Sequence, residues 1–246
     1  YRIFNGNLLY HGCVPLDESG NLEGVAFGKK RYHGREYLDY AERIARRAWS
    51  KDARQKDRDF MWYLWCGRNS PLFGREKITT FERYFVSDRD TWAERKNAYY
   101  RHIAKEENCR RILEEFGLDP EESHIINGHV PVKLGQGESP IRAGGRLLVI
   151  DGGLSRAYQP VTGIAGYTLI FTSHELNLVA HQPFESTAAA ISAEQDIHSV
   201  QSLVKRMPHR LLIDDTDDGE DLRCRIDDLM RLITAYRKGV IKEARS

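Results

Sequence analysis

Five apolar runs in the chain, residues 7–10 (NLLY), 124–127 (HIIN), 146–150 (RLLVI), 167–171 (YTLIF) and 176–181 (LNLVAH), are only four to six residues long and close on glycine, proline or polar residues. Runs of that length between turn formers suit β-strands and are too short for helices. A sixth run, residues 60–65 (FMWYLW), is dense in aromatics and reads as a further strand that delivers the polar loop Cys66-Gly67-Arg68-Asn69-Ser70-Pro71. Between the runs the apolar period changes to that of a helix. Residues 35–49 space Leu38, Ala41, Ile44, Ala45 and Ala48 along one face, and residues 91–116 offer Tyr99, Ile103, Ile112, Leu113 and Phe116 before a stop at Gly117. Residues 222–236 repeat the pattern with Leu222, Ile226, Leu229, Met230 and Ile233.

The two periods together predict a layered α/β (α+β) fold, with helices 35–49 and 91–116 outside a sheet, and the Gly-rich and polar connections between the runs 146–150, 167–171 and 176–181 suit antiparallel pairing. The expected organisation is one domain over residues 1–185 and a peripheral extension over 186–246, which holds an Ala-rich piece, the acidic run 214–218 and the last helix. No internal repeat is present.

Composition narrows the classes of function. A chain of 246 residues buries enough apolar surface to fold without disulfides or a structural metal. Cys13, Cys66, Cys109 and Cys224 stand singly with no C-x-x-C pair, a usage that fits a reducing compartment. Lys and Arg number 37 against 36 Asp and Glu, so no global field favours nucleic acid or an anionic membrane. No apolar run approaches the roughly 18 residues of a membrane span. The expectation is a soluble, cytoplasmic protein, and because the chain opens on Tyr1 almost directly before a strand it reads as part of something longer.

Two histidines stand apart. His11 in YHGCVP and His129 in NGHVPV each neighbour a glycine at the end of a predicted strand. A strand end fixes an imidazole, and a glycine beside it lets an ion and a substrate approach the backbone. The two are 118 residues apart, so the fold alone can bring them together. Taken singly, a histidine at a turn is more often solvated, as expected for His33, His102, His198 and His209 in their polar stretches. Arg68 follows the aromatic run and suits a bidentate phosphate contact, with an ordinary surface arginine as the alternative. Lys133 is a weaker candidate for a second anion. Asp151-Gly152-Gly153 resembles a phosphate or metal turn but is better explained as a backbone turn. The basic stretch 29–58, with eleven Lys and Arg against five Asp and Glu, is most simply a solvated face.

The segments NGNLLYHGCVPLDE (5–18), MWYLWCGRNSPLFGR (61–75), INGHVPVKLGQGESPI (126–141) and GRLLVIDGGLSRAYQPVTGIAGYTLIF (145–171) together resemble the C-terminal part of the class III (Firmicutes-type) fructose-1,6-bisphosphatases. Those enzymes are similar to calcineurin-like metallophosphoesterases, and the resemblance runs through most of residues 5–185. It implies the C-terminal part of a calcineurin-like sandwich, with His11 and His129 as ligands of one metal of a dinuclear manganese pair and Arg68 as the phosphate clamp. A bridging water would be the nucleophile in an in-line displacement. Where many relatives have a second histidine in a G-H-x-H motif, residue 131 is Pro. The G-D-x-x-D-R-G and G-N-H motifs of the family's first half, which supply carboxylate and Asn ligands and a general-acid His, do not occur here; Gly6-Asn7-Leu8 fails at the histidine.

The resemblance therefore implies hydrolysis of the 1-phosphate of fructose 1,6-bisphosphate to fructose 6-phosphate in gluconeogenesis, with Arg68 and Lys133 binding substrate and no catalytic acid in this chain. The expected partners are the sugar bisphosphate and the missing N-terminal part, with no nucleic acid and no membrane; a homo-oligomer is compatible. Another phosphomonoesterase or a protein phosphatase would share the metal site. A metal-free regulatory or oligomerisation module is the alternative of a different class.

Overall fold

The computed structural model describes residues 1–153, 155, 159–184, 186–192, 194 and 199–242. It is a mixed α/β structure, and its contacts divide it into one compact unit of residues 1–168 and 179–201 and another of residues 169–178 and 202–246.

The first unit begins with strands β1 (Arg2–Phe4) and β2 (Asn7–Leu9), an antiparallel hairpin turned by Asn5 and Gly6. Both turn residues have positive φ, 46° and 70°, the conformation that makes Asn-Gly a hairpin former. A second hairpin follows, β3 (Val25–Phe27) with β4 (Lys30–Tyr32), and then helices α1 (Gly34–Trp49) and α2 (Gln55–Cys66). Short helices α3 (Thr80–Phe85) and α4 (Tyr99–His102) lead to α5 (Glu106–Glu115), after which β5 (Ile125–Asn127), β6 (Ile141–Arg142) and β7 (Leu147–Val149) complete a sheet of order β1-β2-β5-β7-β6.

Of the runs expected to pair antiparallel, 146–150 joins this sheet as β7, while 167–171 and 176–181 belong to another. β5 lies parallel to both β2 and β7, and only the outer pairs β1-β2 and β6-β7 are antiparallel. All six residues of β5 and β7 are buried, the unbroken apolar pattern of parallel strands covered on both faces. The connections between β2, β5 and β7 are long enough for crossovers, so short turns did not dictate the pairing.

The aromatic run 60–65 is part of helix α2, not a strand. In a run where every residue is apolar the period is invisible, and the polar residues 55–59 that extend the element to twelve residues decide the matter. Phe60 and Leu64, one turn apart, are buried against Ala41 and Ile44 of α1, while Met61, Trp62 and Trp65 face solvent. The helix expected over 91–116 is likewise broken: Ala93 and Lys105 are extended, and the Asn97 side chain accepts hydrogen bonds from the backbones of Leu16 and Tyr99. Its core positions hold nonetheless. Tyr99, Ile103, Ile112, Leu113 and Phe116 are all buried, with Leu8, Val14, Tyr37, Ile125 and Leu147 in the same core, and Gly117 ends α5 at φ 76°.

Helix α6 (Gln159–Thr162) precedes a second sheet of order β10-β9-β8, formed by β8 (Gly166–Phe171), β9 (Glu175–His181) and β10 (Ser199–Arg206), with α7 (Thr187–Ser192) between the last two. Each of these strands runs from one unit into the other. In the second unit, Met207 and Leu211 donate backbone hydrogen bonds to the carbonyls of His174 and Ser173. Helix α8 (Asp217–Arg237) is capped by Thr216, whose hydroxyl accepts from the Gly219 N–H at 3.2 Å. It is the helix expected over 222–236, and its apolar residues Leu222, Ile226, Leu229, Met230 and Ile233 are exposed. Of the histidines expected at the surface, His33 and His209 are exposed and His102 is half-buried, with Nε2 3.0 Å from the Glu18 carbonyl; His198 lies outside the described residues.

The α1–α2 pair is tied by Arg47, whose Nε donates to Asp57 Oδ2 at 2.8 Å while a second guanidinium nitrogen meets Oδ1. This contact holds the buried Asp57 carboxyl down at about 2. A depressed folded value means stability that is present above the ordinary carboxylate range and lost as pH falls through about 2. Asp57→Asn is expected to lower the melting temperature by several degrees at pH 7 and to flatten the acid limb of stability between about pH 4 and pH 2, measured by thermal denaturation across pH.

Candidate metal and phosphate site

The parallel pairing of β2 with β5 sets the site. Leu8 aligns with Ile125 and Leu9 with Ile126, so each residue of one strand lies beside the residue 117 positions later. Tyr10 N–H continues the ladder to Ile126 O at 3.1 Å, and Gly128 N–H reaches His11 O at 3.0 Å. His11 and His129 thus leave adjacent strands at the same carboxyl-terminal edge, where open parallel sheets place their ligand sites. His11 Nε2 and His129 Nδ1 stand 3.1 Å apart, with the rings edge to face and their centroids 5.0 Å apart.

The surroundings fix His129 in a definite state. Its Nε2 is 2.9 Å from the Phe73 carbonyl, which has no hydrogen to give, so Nε2 carries the proton and donates it. Nδ1 then presents its lone pair toward His11. Burial pushes the His129 pKa below its ordinary value, and the charges of His11 and Arg75 add to this against the Phe73 carbonyl and Asp151. The neutral imidazole, the form that binds a metal, is the favoured one. His129 also has φ 67°, a left-handed backbone that a residue with a Cβ adopts only under constraint.

The glycines beside the histidines have separate reasons. A Cβ on Gly12 would collide with the Pro71 carbonyl oxygen, which accepts from Cys13 N–H at 2.8 Å, so the loop after α2 packs on this backbone. A Cβ on Gly128 would meet only ordinary contacts, at 3.6 Å from Asp151 Cβ and 3.8 Å from His11 Nδ1. Those distances put Asp151 beside the histidine pair. It follows the third parallel strand, and its Oδ1 accepts from Gly153 N–H at 2.9 Å, closing the turn that the sequence suggests. Among the described residues no set of three His, Cys, Asp or Glu side chains is arranged to hold an ion.

Arg68 follows a helix, not a strand; its loop is held by Tyr63 OH on the Arg68 carbonyl at 2.8 Å and Tyr37 OH on the Asn69 carbonyl at 3.0 Å. Its side chain is exposed, 3.8 Å from Glu76, and lines a polar cavity of about 390 Å³ with Arg75 and Lys96 and the acids Asp17, Glu18, Glu23 and Glu76. The arginine whose charge reaches His129 is Arg75, paired at 2.6 Å with Glu94 and bridged through its backbone to Lys96. Burial lowers the pKa of Lys96, helped by the charges of Arg75, Lys133 and Arg142 and opposed by that of Glu138. Lys133 thus belongs to a group of four cations around Lys96. Sequence reading missed Arg75, Lys96 and Arg142, although the repeat of Gly-Arg at 67–68 and 74–75 was a signal for the first. It also missed the buried hydroxyl pair Tyr10–Tyr99 at 2.7 Å and the Asn127 Nδ2 donation to Tyr99 OH at 2.8 Å, which lie under the strand ends.

A family profile described as Firmicute fructose-1,6-bisphosphatase matches residues 1–238. A fructose-1,6-bisphosphatase class 3 of Clostridium beijerinckii is 53% identical over 246 residues, covering 99% of this chain and 37% of its own length. Proteins of the same name from Alkaliphilus metalliredigens and Clostridium botulinum are each 52% identical, over 100% and 99% of the chain and 38% and 37% of their own lengths. The chain therefore spans little more than a third of the curated relatives it matches. No solved structure matches it.

If both imidazoles serve one ion, removing either opens the pair, and losing the second adds little. His11→Ala, His129→Ala and the double variant are each expected to weaken Mn²⁺ binding, followed by electron paramagnetic resonance, by roughly tenfold or more, and the double to fall short of the product of the singles. Wild-type affinity should fall once acid protonates His129, and because burial holds that pKa below the ordinary imidazole value the loss should set in only at a pH below that value.

Proposed function

The chain belongs to the Firmicute fructose-1,6-bisphosphatase family, and from that premise we propose that it supplies part of the metal and phosphate machinery of a phosphoric monoester hydrolase that cleaves the 1-phosphate of fructose 1,6-bisphosphate to give fructose 6-phosphate. The observation that carries this reading is the meeting of His11 and His129 at 3.1 Å. Two donors about 2.1 Å from one ion and about 90–110° apart stand about 3.0–3.4 Å from each other, so the pair fits one edge of a coordination shell. The proton on His129 Nε2 and the lone pair on Nδ1 fit the same role. The ion we expect is Mn²⁺ in a dinuclear centre, with the remaining ligands and the general acid contributed by the rest of a longer protein. When bound, such a centre supplies Lewis-acid polarisation of the phosphoryl group and lowers the pKa of water.

The chain's own contribution is positioning and charge. Arg75, whose charge reaches His129, is the better placed clamp for the transferring phosphoryl group, with Arg68 serving the substrate from the cavity it lines and Lys133 from near Lys96. Lys96 and Lys133 add positive charge near Arg75 that suits an anionic substrate, while Glu94 on Arg75 and Glu138 on Arg142 offset the other two cations. We assign residues 1–185 to the C-terminal part of a calcineurin-like metallophosphatase domain and 186–246 to a peripheral extension. We place the activity in gluconeogenesis in the cytoplasm, in keeping with four free cysteines and with no described helix long and apolar enough to cross a membrane.

The isolated chain with excess Mn²⁺ is expected not to hydrolyse fructose 1,6-bisphosphate, because two imidazoles bring no carboxylate to offset or bridge two dications and no general acid, a loss typically worth about 10²–10⁴-fold. Supplying the upstream part of a relative in trans should restore turnover. In the restored enzyme Arg75→Ala should lower kcat by about 10²–10³-fold, against a smaller loss for Arg68→Ala, and Lys96→Ala should act mainly on KM for the bisphosphate. Robust turnover by the isolated chain, abolished by His129→Ala, would refute the assignment.

A further inference from the structure

A polar series crosses the core under the histidine pair. Asn127 is 4% exposed and Tyr99 is fully buried. Asn127 Nδ2 donates to the Tyr99 hydroxyl at 2.8 Å, and the Tyr99 and Tyr10 hydroxyls stand 2.7 Å apart. The two ends of the series belong to the segments that carry the histidines: Tyr10 directly precedes His11, and Asn127 precedes His129 by two residues. Its middle is fixed from elsewhere. Tyr99 opens helix α4, and its backbone N–H donates at 2.9 Å to Asn97 Oδ1, the same oxygen that accepts from Leu16 N–H at 3.1 Å.

The β2–β5 ladder ends just short of the imidazoles, with Gly128 N–H on the His11 carbonyl at 3.0 Å. Beyond it the Asn127 side chain takes over. Its Nδ2 also faces the Gly12 carbonyl oxygen at 3.5 Å, the outer limit of a hydrogen bond. That carbonyl has no proton to give, so it fixes which way the amide points, with the NH₂ toward Gly12 and Tyr99. Oδ1 is left buried without a hydrogen-bond partner among the described residues. An amide in that state carries a desolvation cost that a leucine of similar size would avoid. Fold stability is therefore a poor reason for this side chain, whereas linking the backbone after His11 to the strand before His129 is a use that only its NH₂ serves.

On the reading of the two imidazoles as ligands of one ion, we propose that Asn127, braced by Tyr99 and Tyr10, is a positioning residue that holds the strand ends of His11 and His129 at the spacing a shared ion requires. In the 246-residue chain Asn127→Leu should leave the melting temperature within a few degrees of wild type or raise it, while weakening Mn²⁺ binding, followed by electron paramagnetic resonance, by about tenfold. Tyr99→Phe should weaken binding by a smaller factor, and the double variant should fall short of the product of the singles, because the two side chains act in one series. A purely structural role predicts the opposite division, a lower melting temperature with unchanged affinity in the folded chain. Nitrogen NMR of the imidazoles without metal is the second arm. Asn127→Leu should shift the ring signals of His11 and His129 together and leave those of the exposed His33 and His209 in place. Ring signals that move in a chain that binds no Mn²⁺ would uphold the positioning role and sink the metal assignment. Ring signals of the pair that stay in place, a Mn²⁺ affinity indifferent to Asn127→Leu, or an Asn127→Leu chain that fails to fold would overturn the proposal.

Discussion

The pairing of β2 with β5 is the constraint on which the candidate site depends. A parallel ladder of a few residues at an offset of 117 converts a chain separation of 118 residues into a 3.1 Å approach of two ring nitrogens. Closing a loop of that length costs on the order of 4 kcal/mol in chain entropy, and the buried residues of β2, β5 and β7 supply the offsetting apolar burial. The core ladder therefore brings the imidazoles together.

How far the sequence foretold this varies by element. The strands around 7–10, 124–127 and 146–150 were legible because a short apolar run between turn formers has few alternatives, and the two histidines were legible because each follows such a run. Pairing direction was not legible, since it depends on what covers the sheet faces and not on the strands themselves. The run 60–65 misled because a uniformly apolar segment carries no period. Arg75 escaped notice for a related reason: its proximity to His129 arises from a loop whose path is set by Gly12 against the Pro71 carbonyl, a tertiary contact without a local signature.

The helical layer does more than cover the sheet. Arg47 and Asp57 join α1 to α2, and α2 ends in the loop that carries Arg68, Pro71 and Phe73. Tyr37 and Tyr63 grip that loop through the Asn69 and Arg68 carbonyls, and the Phe73 carbonyl in turn holds the His129 ring. The orientation of one histidine thus rests on a series of contacts reaching back to the α1–α2 interface.

The left-handed backbone of His129 sets conformational ease against chemistry. At φ 67° a glycine or an asparagine would sit more comfortably than a residue with a branched ring, by an amount on the order of 1 kcal/mol. Selection for stability alone would therefore push residue 129 toward types that cannot present a fixed imidazole to His11. Relaxation there to glycine or asparagine would gain stability by the same substitution that removes the imidazole from the pair.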